Sequence, residues 1–133
     1  MRRYLLDTGI AQDFVDRRHG ILERVDEERH RGNRIGICVP VLGELWSGVE
    51  GSVNRNAQRL QLALSRLVIW PYTNDAAAKF GHIFAELRRL GRPMQQIDIQ
   101  IAAIARTLGD CTVVSSDTDL AAVRGLTVEN WAV

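Results

Sequence analysis

Length, composition and charge set limits on what this sequence can be. Its 133 residues predict one domain spanning 1–133, and its 46% hydrophobic and 25% charged residues are ordinary for a globular chain that buries its own core. The formal net charge is only +1, so the overall charge gives no argument for a nucleic-acid partner or a membrane surface.

Cellular location follows from the apolar runs and the cysteines. No apolar run approaches a membrane span, and the run Tyr4–Leu6 is too short for a signal peptide. Cys38 and Cys111 lie in apolar runs typical of buried strands. A reducing, cytoplasmic location is the simpler interpretation, although a disulfide between neighbouring strands stays open.

Short apolar runs alternate with longer helical patterns, which predicts an α/β fold around a mainly parallel sheet. Pro40 suits a first helical turn, Gly51-Ser52 and Gly91-Arg92-Pro93 break the helical patterns, and Gly109 suits a helix end. The first half of the chain is predicted to form, in order, strand Tyr4–Leu6, a helix from about Thr8, helix Ile21–Arg31 with a charged outer face, strand Ile35–Val39, a helix from Pro40 and helix Asn54–Leu67. The second half is predicted to form strand Val68–Trp70, a helix that ends at about Leu90, a helix that carries the stripe Ile97, Ile101, Ile104 and Leu108, strand Cys111–Val114, a short helix after Asp117 and an edge strand Leu126–Val128. In the helix that ends at about Leu90, Asn74 or Asp75 is the predicted cap, and Phe80, Ile83, Phe84 and Leu87 are predicted to face inward.

Four acidic residues occupy comparable places in this pattern. Asp7 and Asp117 directly follow predicted strands, Glu44 lies just after another, and Asp98 begins the helix with the isoleucine stripe. The carboxyl ends of parallel strands share one edge of a sheet, where ligand sites form. The pattern therefore predicts that acids far apart in sequence converge there.

Converging carboxylates repel each other unless a cation neutralises them. Mg²⁺ and Mn²⁺ prefer oxygen ligands, and such an ion can activate water and stabilise charge on a phosphodiester. The three histidines, His19, His30 and His82, show no ligand spacing, which argues against zinc. Each acid also has an ordinary interpretation, as a helix cap for Asp7, Asp98 and Asp117 and as a solvated residue for Glu44.

Several segments together resemble the signature segments of PIN-domain nucleases. They are LLDT at 5–8, VLGEL at 41–45, DIQIAA at 98–103 and SSDTD at 115–119. The ending GLTVENW at 125–131 and the small size resemble the VapC toxins of type II toxin–antitoxin pairs. The order and spacing of the segments carry the resemblance, which covers nearly the whole chain.

The resemblance implies a single PIN domain over 1–133, with a three-layer α/β fold and a mainly parallel central sheet of about four or five strands flanked by helices. It also implies an endoribonuclease that uses Mg²⁺, or Mn²⁺ in its place, to hydrolyse RNA phosphodiester bonds. A cognate antitoxin would inhibit it, and the assembly would be a homodimer, or a heterotetramer or larger with the antitoxin.

The same resemblance assigns roles to individual residues. Asp7 and Asp98 would be the central metal ligands, Glu44 would complete the pocket, and Asp117 would hold a second ion or its waters. Asp119 would be an accessory acid, with Thr8 and Ser115 as hydroxyl support. Gly9, Ser115 and Leu120 depart from the commoner Asn or Ser, Thr and Phe, and these departures concern the geometry around the acids and the substrate preference.

Arg88, Arg89 and Arg92 precede the Asp98 segment and are predicted to contact RNA phosphates, or else to be solvated cations at a helix end. Three other functions compete with the nuclease. A receiver-type phosphoacceptor domain needs a lysine after a late strand, and the only lysine, Lys79, lies mid-helix. A DNA-directed nuclease would need additional elements to hold DNA. A catalytically silent PIN-like module that binds RNA or protein is the main alternative.

Overall fold

The described part of the chain forms a parallel sheet with helices packed against it. A computed structural model describes residues 1–50 and 54–133, with their side chains apart from those of Asn54, Arg55 and Thr118. Every strand pairing is parallel, and the predicted three-layer α/β fold with a central sheet is confirmed. The strands are β1 (Arg3–Leu6), β2 (Arg34–Cys38), β3 (Val68–Trp70), β4 (Cys111–Val114) and β5 (Thr127–Glu129).

Helices connect these strands, as parallel pairing requires. The break predicted at Gly51-Ser52 lies outside the described residues. The helices are α1 (Thr8–Asp16), α2 (Ile21–His30), α3 (Val39–Glu50), α4 (Asn54–Leu64), α5 (Asn74–Arg89) and α6 (Gln96–Leu108), with a short 3₁₀ helix at Thr118–Ala122. The predicted element order is therefore confirmed, with bounds that shift by a few residues.

The strand order β3-β2-β1-β4-β5 places the switch point of the sheet at its centre. The chain builds outward from β1 through β2 to β3, and then returns to pair β4 with the other side of β1. Ligands of open α/β sheets bind beyond the carboxyl ends of the strands at such a point. Asp7 follows β1 and Ser115 follows β4, so both lie at this crevice.

Apolar side chains form two clusters. The larger one surrounds the sheet and includes the fully buried Leu5, Leu6 and Ile37, and the smaller one fills the space between α5 and α6. The strands β2 and β3 approach very closely at Gly36, where a Cβ atom would lie only 2.1 Å from the carbonyl oxygen of Val68. Only glycine fits at this position of the sheet.

Two predictions about α5 are wrong. The cap is Thr73, whose Oγ1 accepts a hydrogen bond from the Ala76 N–H at 3.1 Å, and neither Asn74 nor Asp75. Phe84, predicted to face inward, is 48% exposed. Helix α5 packs against α6, and this hairpin leaves Phe84 uncovered.

The charged outer face predicted for α2 has one exception. Glu28 is only 2% exposed, and its carboxylate accepts hydrogen bonds from Arg24 Nε (3.1 Å), Arg31 Nη1 (3.2 Å) and Asn33 Nδ2 (2.9 Å). Burial opposes ionisation, but these hydrogen bonds and the two arginine charges outweigh it and lower the pKa of Glu28. Glu28 thus anchors an ionic cluster in which its own carboxylate is buried and the Arg31 side chain is exposed.

The two cysteines cannot form a disulfide with each other. Cys38 ends β2 and Cys111 begins β4, and β1 lies between these strands, so the cysteines are too far apart to be bridged. Both are free thiols, and burial raises the pKa of Cys38 to about 11 and that of Cys111 to about 12. Among the described residues, no helix is long and apolar enough to cross a membrane.

Candidate active site

Asp7 is the most buried of the four predicted acids, with 9% of its surface exposed. Its Oδ1 accepts a hydrogen bond from the Ile10 N–H at 2.9 Å, which caps α1, and its Oδ2 accepts one from the Ser115 hydroxyl at 2.5 Å. Burial raises the pKa of Asp7 despite these bonds, and the charge of Asp117 contributes to the rise. Asp7 is therefore both a helix cap and an acid held in a fixed orientation.

Asp98 lies half-buried in the first turn of α6. Burial raises the pKa of its carboxyl to about 6, and neighbouring negative charges contribute to that rise. Those charges belong, in decreasing order of effect, to Asp7, Asp117, Glu44 and Asp119. Asp7, Asp117, Glu44 and the accessory Asp119 thus lie near enough for their charges to reach Asp98.

Two hydrogen bonds, each between residues two positions apart, organise the loop after β4. The Asp117 N–H donates to Ser115 Oγ at 2.9 Å, and the Asp119 N–H donates to Asp117 Oδ1 at 2.9 Å, which caps the 3₁₀ helix. Asp117 and Asp119 are exposed, as is Glu44 on α3. One hydroxyl, that of Ser115, therefore connects the buried acid Asp7 to the exposed acids of this loop.

The side-chain hydroxyl of Thr8 is a buried polar group in the same region. Its Oγ1 is buried and has no hydrogen-bond partner among the residues that the structure describes. A buried hydroxyl without a partner is costly, so such an atom calls for a ligand or an ordered water. Thr8 directly follows Asp7, which makes this free oxygen part of the same site.

The donor set fits a hydrated hard cation. Across residues 1–50 and 54–133, no three His, Cys, Asp or Glu side chains come close enough to enclose an ion by themselves. Mg²⁺ does not need such a cage, because it keeps several waters and binds through one or two carboxylates. Carboxylates and a free hydroxyl offer only oxygen. The histidines are exposed elsewhere, His19 in the turn before α2, His30 on α2 and His82 on α5.

A groove of about 510 Å³ opens beside Glu44, between α3 and the start of α6. Tyr72, Gln96 and Gln100 line it, and none of them was predicted from the sequence as a site residue. The one sequence pattern that could have indicated them is the spacing of Gln96 and Gln100, which lie four residues apart on one face of a helix. These side chains offer an aromatic ring and amide groups next to the acids.

Arg88, Arg89 and Arg92 lie at the end of α5 and in the turn that follows it. All three are exposed, and none forms an ion pair with any other residue that the structure describes. Their role as RNA contacts stays a prediction.

Comparison with known proteins agrees with this fold. The model of the PIN domain family matches residues 4–126, and the chain therefore belongs to the PIN-domain family. Within that family its relatives are VapC proteins, as the sequence resemblance predicted. The Ribonuclease VapC2 of Haemophilus influenzae is 35% identical, with 98% of this chain and 99% of that protein covered. The tRNA(fMet)-specific endonuclease VapC of Shigella flexneri is 32% identical, with 99% and 100% covered.

Two solved structures show the same architecture. VapBC2 from Rickettsia felis, bound to a DNA fragment from its promoter, superposes with a TM-score of 0.89 at 26% identity, covering 97% of this chain and 98% of that one. DNA-bound VapBC from Salmonella typhimurium also gives a TM-score of 0.89, at 29% identity, covering 99% and 100%.

Proposed function

We propose that the chain is an endoribonuclease of the VapC type, which uses Mg²⁺ or Mn²⁺ and acts as the toxin of a type II toxin–antitoxin pair. The observation that carries the proposal is the gathering of carboxylates around Asp98 at the switch point of the sheet. A folded chain gains nothing from bringing like charges together unless a cation joins them.

The chain's own residues would prepare the site for that cation. Asp7 and Asp98 would be its central ligands, with Glu44 and Asp117 completing the ring of charge and Asp119 and the Thr8 hydroxyl at its border. Ser115 and the Ile10 N–H each hold one oxygen of Asp7, which fixes the plane of that carboxylate. A bound divalent cation supplies positive charge against the phosphodiester and lowers the pKa of water.

RNA is the substrate class that the relatives support. One is named a ribonuclease and another a tRNA(fMet)-specific endonuclease, and both match over the full chain. The acids lie at an open edge of the sheet, where a polymer can approach, and Glu44 and Asp117 are exposed. We therefore assign RNA phosphodiesters as the bonds that are cut.

An antitoxin is the proposed protein partner, since the neighbouring solved structures are VapBC assemblies. A second groove, of about 260 Å³, lies between α1, α2 and α4 and offers it an apolar surface. Phe14 and Leu22 line this groove, together with Leu62, which is 73% exposed. A homodimer, which joins the antitoxin in a heterotetramer or larger assembly, is the proposed quaternary state.

The test is RNA cleavage by the purified chain in chelator and after addition of Mg²⁺ or Mn²⁺. We expect no cleavage in EDTA, cleavage on adding either ion, and none by Asp98→Asn under any condition. Asp110→Asn is the matched control, because Asp110 is exposed at the opposite end of β4 and its positive φ suits asparagine. Cleavage in chelator would contradict the metal requirement, and RNA binding without cleavage would identify the silent binding module instead.

A further inference from the structure

A third groove, of about 290 Å³, lies at the turn between α5 and α6. Leu87 and Ile99, both buried, form its floor, and Phe84 and Met94 contribute apolar surface beside them. Small-molecule sites have volumes of about 300–1,000 Å³, and this groove lies just below that range, so it suits a small group such as one base.

The rim of the groove is cationic. Arg88 and Arg92 line it, and neither has an ion-pair partner among the described residues. The turn itself brings them together, because the Arg92 N–H donates to the Leu87 carbonyl at 2.9 Å and the Gly91 N–H donates to the Arg88 carbonyl at 3.1 Å. None of the described residues that line this groove is acidic. The combination of an apolar floor with an unpaired cationic rim suits a ligand that is flat and apolar at one end and anionic at the other.

The groove lies at the end of α6 that also carries Asp98. Ile99 on its floor directly follows Asp98 in the first turns of α6, and Met94 packs against both the main core and the α5–α6 cluster. Since the groove and Asp98 share this end of α6, we expect an RNA strand bound at Asp98 to continue toward the groove.

We propose that this groove binds an unpaired nucleotide of the RNA substrate, with its base against Phe84 and its phosphate between Arg88 and Arg92. The inference rests on the proposed ribonuclease function and assigns part of its substrate specificity. Single-stranded RNA is recognised by stacking unpaired bases on aromatic rings, and arginine pairs well with phosphate. Phe84 has 48% of its surface exposed and is stacked on Phe80, with ring centroids 6.2 Å apart, so its position is supported from behind.

The test measures RNA binding in the Asp98→Asn background, which separates binding from cleavage. A fluorescein-labelled single-stranded RNA oligonucleotide is titrated with full-length protein in Mg²⁺ over a series of salt concentrations. Arg88→Gln and Arg92→Gln should each weaken binding about five- to ten-fold and reduce the slope of log affinity against log salt by about 0.7. Phe84→Leu should weaken binding about five-fold and leave the salt slope unchanged.

Two arginines serve as comparisons. Arg29→Gln removes an exposed cation from α2 and should bind RNA like the parent. Arg89 lies beside Arg88 but does not line the groove, so Arg89→Gln should cost less than Arg88→Gln. Equal losses for Arg88→Gln and Arg89→Gln would show a general charge effect and would overturn the groove assignment.

Ultraviolet cross-linking of an oligonucleotide containing 4-thiouridine locates the base directly. We expect cross-links on the peptide that contains Phe84 or on the one that contains Met94. Unchanged RNA affinity in Phe84→Leu, or cross-links only on other peptides, would overturn the inference. Groove variants that lose antitoxin binding but keep their RNA affinity would overturn it as well. If wild-type protein cuts RNA but the groove variants bind normally, this inference fails and the ribonuclease proposal survives. If the groove variants lose RNA binding but wild-type protein never cuts RNA, this inference survives and the ribonuclease proposal fails.

Discussion

The hydroxyl of Ser115 donates a hydrogen bond to Asp7 Oδ2 at 2.5 Å, joining residues 108 positions apart in sequence. The sheet imposes this contact, because β1 and β4 are parallel neighbours with Leu6 opposite Val114. The Asp7 N–H also donates to the Val114 carbonyl at 3.0 Å. The register of two central strands therefore sets the orientation of the most buried acid in the candidate active site.

Loss of the Ser115 hydroxyl should reduce catalysis more than stability. Among the described residues, Ser115→Ala leaves the Asp7 carboxylate with one hydrogen bond, from the Ile10 N–H. Groups that orient metal ligands typically change activity or metal affinity by about 10–100-fold. We expect kcat for RNA cleavage to fall by about that factor, while Ser115→Thr, which keeps the hydroxyl, restores most of it. If Ser115→Ala kept the wild-type kcat, the Ser115 hydroxyl would have no role in orienting Asp7 for catalysis.

Growth should distinguish the charge of Asp7 from its capping role. Expression of the wild-type chain alone should slow growth, and Asp7→Asn should not, because the amide can still cap α1 but carries no charge. Asp7→Ala should also be harmless, but it additionally loses the cap, at about 1 kcal/mol of the free energy of unfolding. Colony growth and the level of folded protein are measured for each variant. Toxicity that persists in Asp7→Asn at wild-type level would contradict the assignment of Asp7.

Glu28 should contribute stability that depends on pH. Its pKa in the folded chain is lowered from the ordinary value near 4.5, so its contribution is present above that pH and is lost as pH falls through the folded value. Glu28→Gln should lower the free energy of unfolding by about 2 kcal/mol at pH 7, and the difference should shrink below about pH 4.5. Urea unfolding at several pH values measures this. A difference that grows on acidification would contradict the ionic cluster.

Gly36 should tolerate no side chain. Gly36→Ala would push a Cβ atom against the Val68 carbonyl in a rigid sheet, and the expected loss exceeds about 4 kcal/mol of the free energy of unfolding. Gly81→Ala is the control, since Gly81 lies in α5 with open space around it and should gain about 0.5–1 kcal/mol. Thermal melts of both variants measure the effects. Equal stability of Gly36→Ala and wild type would show that β2 and β3 lie further apart.

Much of the fold could be predicted from local patterns. The short apolar runs predicted all five strands, and the stripe from Ile97 to Leu108 predicted α6, because burial on a sheet or against a helix imposes a period on the sequence. The position of Asp7 and Asp117 could be predicted because both directly follow strands, and the carboxyl ends of parallel strands share one edge of the sheet. Helix caps were less certain, since Thr73, Asn74 and Asp75 are all good capping residues and only the backbone selects among them.

The remaining features depend on long-range contacts. Glu28 looks like a solvated helix residue until Asn33 and two arginines surround it. Phe84 fits the inward stripe of α5, but none of the elements that the structure describes covers it on the α5–α6 hairpin. The buried Thr8 hydroxyl without a partner is equally invisible in the sequence, because burial without pairing is a property of the folded surroundings.

The most direct measurement is Mn²⁺ binding to the purified chain by isothermal titration calorimetry. We expect saturable binding to wild type and to Asp110→Asn, and binding at least about 10-fold weaker to Asp98→Asn. Asp98→Asn that binds Mn²⁺ as tightly as wild type, or wild type that cuts RNA without binding the ion, would contradict this expectation.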